Sequence, residues 1–463
     1  MFINSCFAAN NQNEYYVDRY EQSVSIAFLH EYILVNYRRI YARVLAIGVN
    51  HFNRATIIAN LLRAGTPTDP SEAVEEGELI ANALAELPAN RAYGLIARLS
   101  AARINNRRTR AVIKRYLARR PDVEFDAVKY RSKFKAAVAH AHVRMPGEFG
   151  PFLFAMKGHS QFKTSLFENF RQAHYTQQAV YKLPFTVAES MAVRHGIARD
   201  VFLKKIEPKM TATEKLRFQN AAARTKGAAL SFDLRRAPLT RLAIYVLSLP
   251  SQERHDRAQE LDEALRTSAQ RALHRAPLAL GRVATVLDRS RSTWGTREKR
   301  RRTLALALAS SYFLRAASET YRPFWAPAPG PLAFEHLVEA GGQTPIAQSL
   351  IDALEWQPSL IVILSDGYEN DPPMACASVV DAYREKLAGV TPIEIVHANP
   401  VFDANHFSPH SLCAQIPTVG VRDAEDLATM LGFVRYASGA ASLSELNRYL
   451  ESRVAIMKER HGS

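Results

Sequence analysis

Five oxygen-bearing side chains in the last third of the chain are spaced as a cation-binding set. The run GRVATVLDRSRSTWG, residues 281–295, ends an apolar stretch at Asp288 and follows it with hydroxyls at alternate positions, Ser290 and Ser292. Asp-x-Ser-x-Ser alone says little, because Asp and Ser are ordinary turn residues. Two later segments supply partners. GGQTPIAQSLIDAL puts Thr344 in a Gly-rich loop just ahead of a helical pattern, and LIVILSDG closes a second apolar run at Asp366. Carboxylates and hydroxyls are hard donors, the set that suits Mg²⁺, which takes octahedral oxygen coordination and keeps several waters. Alternate residues of an extended or turning loop point the same way, so Ser290 and Ser292 can face one ion. One coordination position then stays open for a carboxylate or phosphate of a partner.

These residues need a sheet to bring them together, and residues 281–463 read as one. GRVATVLD, LIVILSDG, IEIVHANP and PTVGVRD are short runs rich in apolar residues. TLALALASSYFLRAAS, ACASVVDAYREKLAG and DAEDLATMLGFVRYA carry helical periodicity. Strands alternating with helices predict a mostly parallel sheet covered on both faces, and continuous apolar strands fit that burial. Ligands of such sheets bind at the carboxyl ends of the strands, which places Asp288 and Asp366 at the same edge.

The rest of the chain has a different grammar. Residues 1–13 read as a flexible N-terminus, and residues 14–280 as helix after helix. Segments such as SEAVEEGELIANALAEL, NRAYGLIARLSAARI and TRAVIKRYLARR repeat apolar residues at three- and four-residue steps. Breaks such as GTPTDP, LPAN, RRPD and RMPGEFGP are short and contain Pro, Gly or Asn. Many short helices joined by short turns predict an α-solenoid of helical hairpins without a fixed-period consensus.

Charge follows the same division. The formal net charge is +15, but residues 1–280 hold 42 Lys/Arg against 25 Asp/Glu, whereas residues 281–463 hold 18 against 20. A basic helical part beside a nearly neutral sheet part suggests a polyanion partner, most often nucleic acid. In INNRRTRAVIKRYLARR, Val112, Ile113, Tyr116 and Leu117 share one helix face. Arg107, Arg108, Arg110, Lys114, Arg115 and Arg119 occupy the other. The next basic segment adds Lys129, Arg131, Lys133, Lys135, His140, His142 and Arg144, with Tyr130 and Phe134 interleaved. Lys and Arg neutralise phosphates, and aromatics can stack on bases. At helical spacing Tyr130 and Phe134 are expected to pack inward instead. His140 and His142 are two apart and face different ways on a helix. His406 and His410 in DANHFSPH are loop-like and could touch metal, although surface histidines are the commoner case.

Several classes are set aside by what the sequence lacks. Cys6, Cys376 and Cys413 form no CxxC pair, so no disulfide framework or zinc ribbon is expected, in keeping with a reducing compartment. No basic-then-apolar leader is visible at the start, and SIAFLHEYILV is too short and too polar to span a bilayer. No P-loop, GxSxG or HExxH motif occurs, so no enzyme is expected. The expectation is a cytoplasmic monomer with no membrane contact.

DRSRS, then GGQTP, then ILSDG resembles the metal-ion-dependent adhesion site of von Willebrand factor A domains. That resemblance implies a Rossmann-like α/β fold for residues 281–463. It implies Ser290 and Ser292 as direct ligands, Thr344 direct or through water, and Asp288 and Asp366 mostly through water. The sequence departs from the pattern at Arg291, where Gly is common between the serines, and Arg289 brings a second positive charge. A basic helical module leading into such a domain resembles the Ro autoantigen, or TROVE, family of RNA-binding proteins. The family implies a ring of HEAT-like hairpins closed by the A domain. It also implies binding of Y-RNA-like structured noncoding RNA and single-stranded RNA ends, and roles in RNA quality control or processing. The alternative is a protein-interaction adaptor whose Mg²⁺ site grips an acidic partner such as a MoxR-type AAA+ ATPase.

Overall fold

The computed structural model describes residues 1–13, 18–211, 214–216, 218, 233–296, 299–437 and 441–462. The chain divides into two compact units. An α/β unit comprises Met1–Asn36 and Asp233–Tyr449, and a helical unit comprises Tyr37–Phe232 and Leu450–Ser463.

The α/β unit is built on a parallel five-stranded sheet in the order β2-β1-β3-β4-β7. The strands are β1 (Leu280–Asp288), β2 (Ser318–Ala326), β3 (Leu360–Leu364), β4 (Glu394–Asn399) and β7 (Thr418–Gly420). β5 (Phe402–Asp403) and β6 (Ser408–Pro409) form a small antiparallel hairpin. Every residue of β3 is buried, as its unbroken LIVIL run requires in a sheet covered on both faces. β1 lies between β2 and β3, and Leu287 pairs with Leu364. The chain winds from β1 to one neighbour and later returns to the other side. Asp288 and Asp366 therefore leave adjacent strands at the point where the strand order reverses, the usual crevice for ligands in open α/β sheets.

β2 was not anticipated from the sequence, and its composition explains why. It is an edge strand, half exposed, with Glu319, Arg322 and Pro323 among its nine residues. Pro and charge are tolerated at an edge because one side of the ladder is unpaired.

The unit boundaries also differ from the division expected at residues 13 and 280. The first residues form a helix, Phe2–Ala8, all of whose side chains are buried. Asn4 donates to the Thr418 carbonyl at 2.9 Å, and Ser5 donates to that of Phe407 at 2.7 Å. The helix covers the free edge of β7. A Cβ added at Gly420 would lie 2.3 Å from the Asn4 carbonyl oxygen, so only glycine permits that approach. The helices Leu239–Ser248 and Ala258–Arg275 pack against the helix Arg302–Ala317 of the same unit. Tyr312 donates to Asp262 at 2.6 Å, and Arg254 donates to the carbonyls of His336 and Val338. The helical grammar up to residue 280 is correct locally, but burial assigns residues 2–36 and 233–280 to the sheet.

In the helical unit, short breaks become helix starts. Asn50, Asp69, Asn106 and Asp122 each accept a hydrogen bond from a backbone N–H of the first turn. Such caps satisfy donors that the helix itself leaves orphaned. Pro70 sits directly after its cap, where its missing N–H costs nothing. A cluster of Phe134, Phe149, Phe152, Phe162 and Phe167 packs ring on ring, with Phe152 and Phe167 stacked at 4.1 Å. The end of the last helix, Leu443–His461, belongs to this unit from Leu450 and pairs Glu451 with Arg43 and Lys458 with Glu78.

Candidate metal centre and basic helical face

The sheet and its loops join four of the five oxygen donors, Asp288, Ser290, Ser292 and Asp366, in one hydrogen-bonded set, with Thr344 buried in the adjoining GGQTP turn. Asp288 ends β1, fully buried, and its Oδ1 accepts the Ser290 N–H at 2.7 Å. That bond turns the chain so that the Ser290 and Ser292 hydroxyls lie 3.1 Å apart. Ser292 donates in turn to Asp366 Oδ2 at 2.6 Å. The loop is held from behind: Arg291 N–H donates to Gly342 and Gly341 N–H donates to Arg289, tying the DRSRS turn to the GGQTP turn. Thr344, 3% exposed, has its N–H bonded to Asn370 at 2.9 Å.

The Asp366 turn is equally constrained. Gly367 has φ +86°, and a Cβ there would lie 2.8 Å from the His410 carbonyl oxygen. Asn399, at the end of β4, donates from one amide nitrogen to the carbonyls of Asp366 and His410. Glycine in ILSDG is thus required by both the left-handed backbone and the packing.

Two buried carboxylates share this space. Burial first, then repulsion from Asp366, pushes the Asp288 carboxyl up to about 8. Burial also raises Asp366, against the bond from Ser292. Asp288 Oδ2 is buried without a hydrogen-bond partner. An orphaned carboxylate oxygen, two converging hydroxyls and a second carboxylate are the donors a hard divalent cation needs. The residues therefore fit Mg²⁺. Arg291, the departure from the pattern, has an exposed side chain that solvent screens. Arg289 is half-buried, with a buried Nε that has no partner.

The basic segments of the helical unit separate into two groups. The helix Arg107–Ala118 buries Thr109, Val112, Ile113, Tyr116 and Leu117. Arg107 and Lys114 are exposed and Arg110 and Arg115 half-exposed, and none of the four has an ion-pair partner among the described residues. Lys133 and Arg144 are exposed as well, and Lys135 is exposed with its ammonium over the Phe154 ring.

The other group works inside the unit. Arg108 pairs with Glu76 at 2.6 Å, a buried carboxylate that Arg38 also binds. Arg119 donates to Asn82 and Lys129 pairs with Glu214. Arg131 donates to the Phe152 carbonyl and lies over the rings of Phe152 and Phe170. His140 bonds the Ile104 carbonyl at 2.9 Å. Phe134 is fully buried and Tyr130 half-buried against Tyr93, as their helical spacing led one to expect. Asp126, not singled out from the sequence, is a buried hub that accepts from Tyr93 at 2.8 Å and from Arg120 at 2.5 Å.

No family model matches the sequence, and no curated protein matches it. Among solved structures, the chain is similar to a crystal structure of the Deinococcus radiodurans Ro (RSR) protein. The two share 14% identity over 89% of this chain and 94% of that one, with a TM-score of 0.41. The fold described above is an all-helical unit and a Rossmann-like α/β unit with its oxygen-donor site at the switch point. Among the described residues, no helix is long and apolar enough to cross a membrane.

Proposed function

We propose that this chain is a Ro-type RNA-binding protein of the cytoplasm that takes part in RNA quality control or processing and catalyses no reaction. The observation that carries the reading is the unpaired set Arg107, Arg110, Lys114 and Arg115 on one face of a helix whose other face is core. Guanidinium and ammonium groups left without carboxylates attract phosphate, and the nearly neutral residues 281–463 share none of this excess. The partners are structured noncoding RNA of the Y-RNA kind and single-stranded RNA ends.

The α/β unit adds a cation site. Mg²⁺, when bound, would supply a positive charge with an open position for a partner's carboxylate or phosphate. Ser290, Ser292 and Thr344 would hold it, with Asp288 and Asp366 orienting its waters. The orphaned Asp288 oxygen is the specific support for this second, protein-capturing role.

The test is to purify the chain at moderate salt and compare its absorbance at the nucleic-acid and protein maxima, then sequence any RNA retained. Discrete structured RNAs, lost when Arg107, Arg110 and Lys114 become Glu, are expected. A clean protein that binds no added RNA even at low salt would overturn the reading. Mg²⁺-dependent capture of a protein partner by that same clean protein would leave the adaptor function.

A further inference from the structure

Beside the oxygen site lies a second group of donors with different chemistry. Asp403 ends β5, and the turn that follows returns through Phe407, whose φ is +55°, to β6. Asp403 is buried, and its Oδ1 accepts the Asn405 N–H at 2.9 Å. Its Oδ2 faces two imidazoles, with His406 Nδ1 at 2.8 Å and His410 Nδ1 at 3.0 Å. One ligand atom from each of the three residues can be chosen so that all lie within 4.8 Å of one another.

The arrangement is set before any ligand arrives. The His410 ring stacks on Tyr368 with centroids 4.3 Å apart and planes 3° from parallel. The His410 carbonyl is fixed by Asn399, and the carboxylate by the turn's own N–H groups. His406 is the exposed member, with 70% of its side chain open to solvent. A cation could enter from that side.

We propose that Asp403, His406 and His410 form a transition-metal site, distinct from the Mg²⁺ site, that takes Zn²⁺ or a similar borderline cation. Two imidazole nitrogens and one carboxylate are the ligands such ions select, whereas Mg²⁺ prefers oxygen alone. Bonds of about 2.0–2.1 Å in tetrahedral geometry place ligand atoms about 3.3 Å apart, slightly more than the two carboxylate–imidazole spacings of 2.8 and 3.0 Å. As the metal enters, the proton on each neutral ring would move from Nδ1 to Nε2, freeing Nδ1 and Asp403 Oδ2 as ligands. Three protein ligands leave a fourth position for water or for a donor from a partner. The site adjoins the first, because Asn399 bridges the Asp366 and His410 carbonyls and Tyr368 follows Asp366 by two residues. The proposal is independent of the RNA reading.

The test is Co²⁺ titration of the untagged, chelator-stripped full chain, read by its visible ligand-field bands. With excess Mg²⁺ present to hold the oxygen site, a single Co²⁺ per chain with such bands is expected, displaced by Zn²⁺. Because His406 is exposed, His406→Ala should fold as wild type and weaken Co²⁺ binding at least about tenfold. Ser290→Ala/Ser292→Ala should leave the bands unchanged. The proposal is overturned if the wild type shows no such bands, if His406→Ala keeps them, or if the serine variant loses them. The last result would place the ion at the oxygen site.

Discussion

The α/β unit and the helical unit prepare for charged ligands in opposite ways. In the first, the oxygens of Asp288, Ser290, Ser292 and Asp366 are mostly buried, linked by hydrogen bonds and fixed by backbone turns, so a cation would meet a cradle largely formed. In the second, the groups suited to phosphate are exposed or half-exposed, and Arg107, Arg110, Lys114 and Arg115 have no ion-pair partner among the described residues. Desolvated charge must be arranged in advance because each misplaced group costs several kcal/mol. Solvated charge acts over about a Debye length and needs only density and a common face. The same contrast runs through the helical unit itself, where Arg108, Arg131 and Lys129 are spent on internal partners while Arg107, Arg110 and Lys114 are not.

That internal contrast can be broken most severely at Asp126. Asp126→Ala leaves the Arg120 guanidinium and the Tyr93 hydroxyl without their partner, and should destabilise the helical unit by about 3–5 kcal/mol. Denaturant unfolding measures it, and the loss should leave the α/β unit's transition in place. In the α/β unit, Gly367→Ala forces a Cβ into a left-handed backbone against the His410 carbonyl. A cost of about 1–3 kcal/mol is expected, together with loss of any Mg²⁺ response.

Ser292→Ala sharpens the comparison further. It removes one hydroxyl from the cation site, so Mg²⁺ should no longer raise the melting temperature, while RNA affinity stays at the wild-type value. Millimolar Mg²⁺ at a site a hundredfold tighter would contribute about 2.7 kcal/mol to the wild type, readable by thermal unfolding. If Ser292→Ala weakens RNA binding instead, the two regions act as one site.

The most gradual effect is in acid. Burial lowers the His336 ring to about 4 and the His397 ring to about 3, so both are neutral in the folded α/β unit. A depressed histidine contributes stability that is whole above its unfolded value near 6.5 and is lost as pH falls toward its folded value. Below about pH 6.5, each ring should cost about 1.4 kcal/mol per pH unit. Neither ring nitrogen of His336 has a hydrogen-bond partner among the described residues. His336→Leu should therefore flatten that slope by about one proton without removing a bond.

Legibility in the sequence followed the same physics. β1 and β3 were readable because continuous apolar runs determine them, and local turn chemistry marked Asp288, Ser290, Ser292 and Asp366, which hydrogen bonds join. β2 was not, since an edge strand tolerates Glu319, Arg322 and Pro323. The helix Phe2–Ala8 was not, since seven residues with no side-chain cap are held by burial and hydrogen bonds to residues about 400 positions away. The basic face was readable as composition but not as function residue by residue. Glu76 lies 32 positions before Arg108, and Glu214 lies 85 after Lys129, so pairing is decided by the fold. His406 and His410 were visible, yet their convergence on Asp403 depends on a hairpin of two-residue strands.

The salt dependence of RNA affinity tests the central claim most directly. Binding of a structured RNA with single-stranded ends should be measured across salt for the wild type, for Arg107→Ala/Arg110→Ala/Lys114→Ala/Lys133→Ala, and for Arg108→Ala. The wild type should lose affinity steeply with salt. The fourfold variant should bind more weakly at low salt with a slope shallower by about 3–4 units. Arg108→Ala, whose guanidinium is held inside the unit by Glu76 and the Gly65 carbonyl, should keep the wild-type slope. Equal slopes for all three proteins, or no affinity at low salt, would contradict the assignment of the exposed arginine face to RNA.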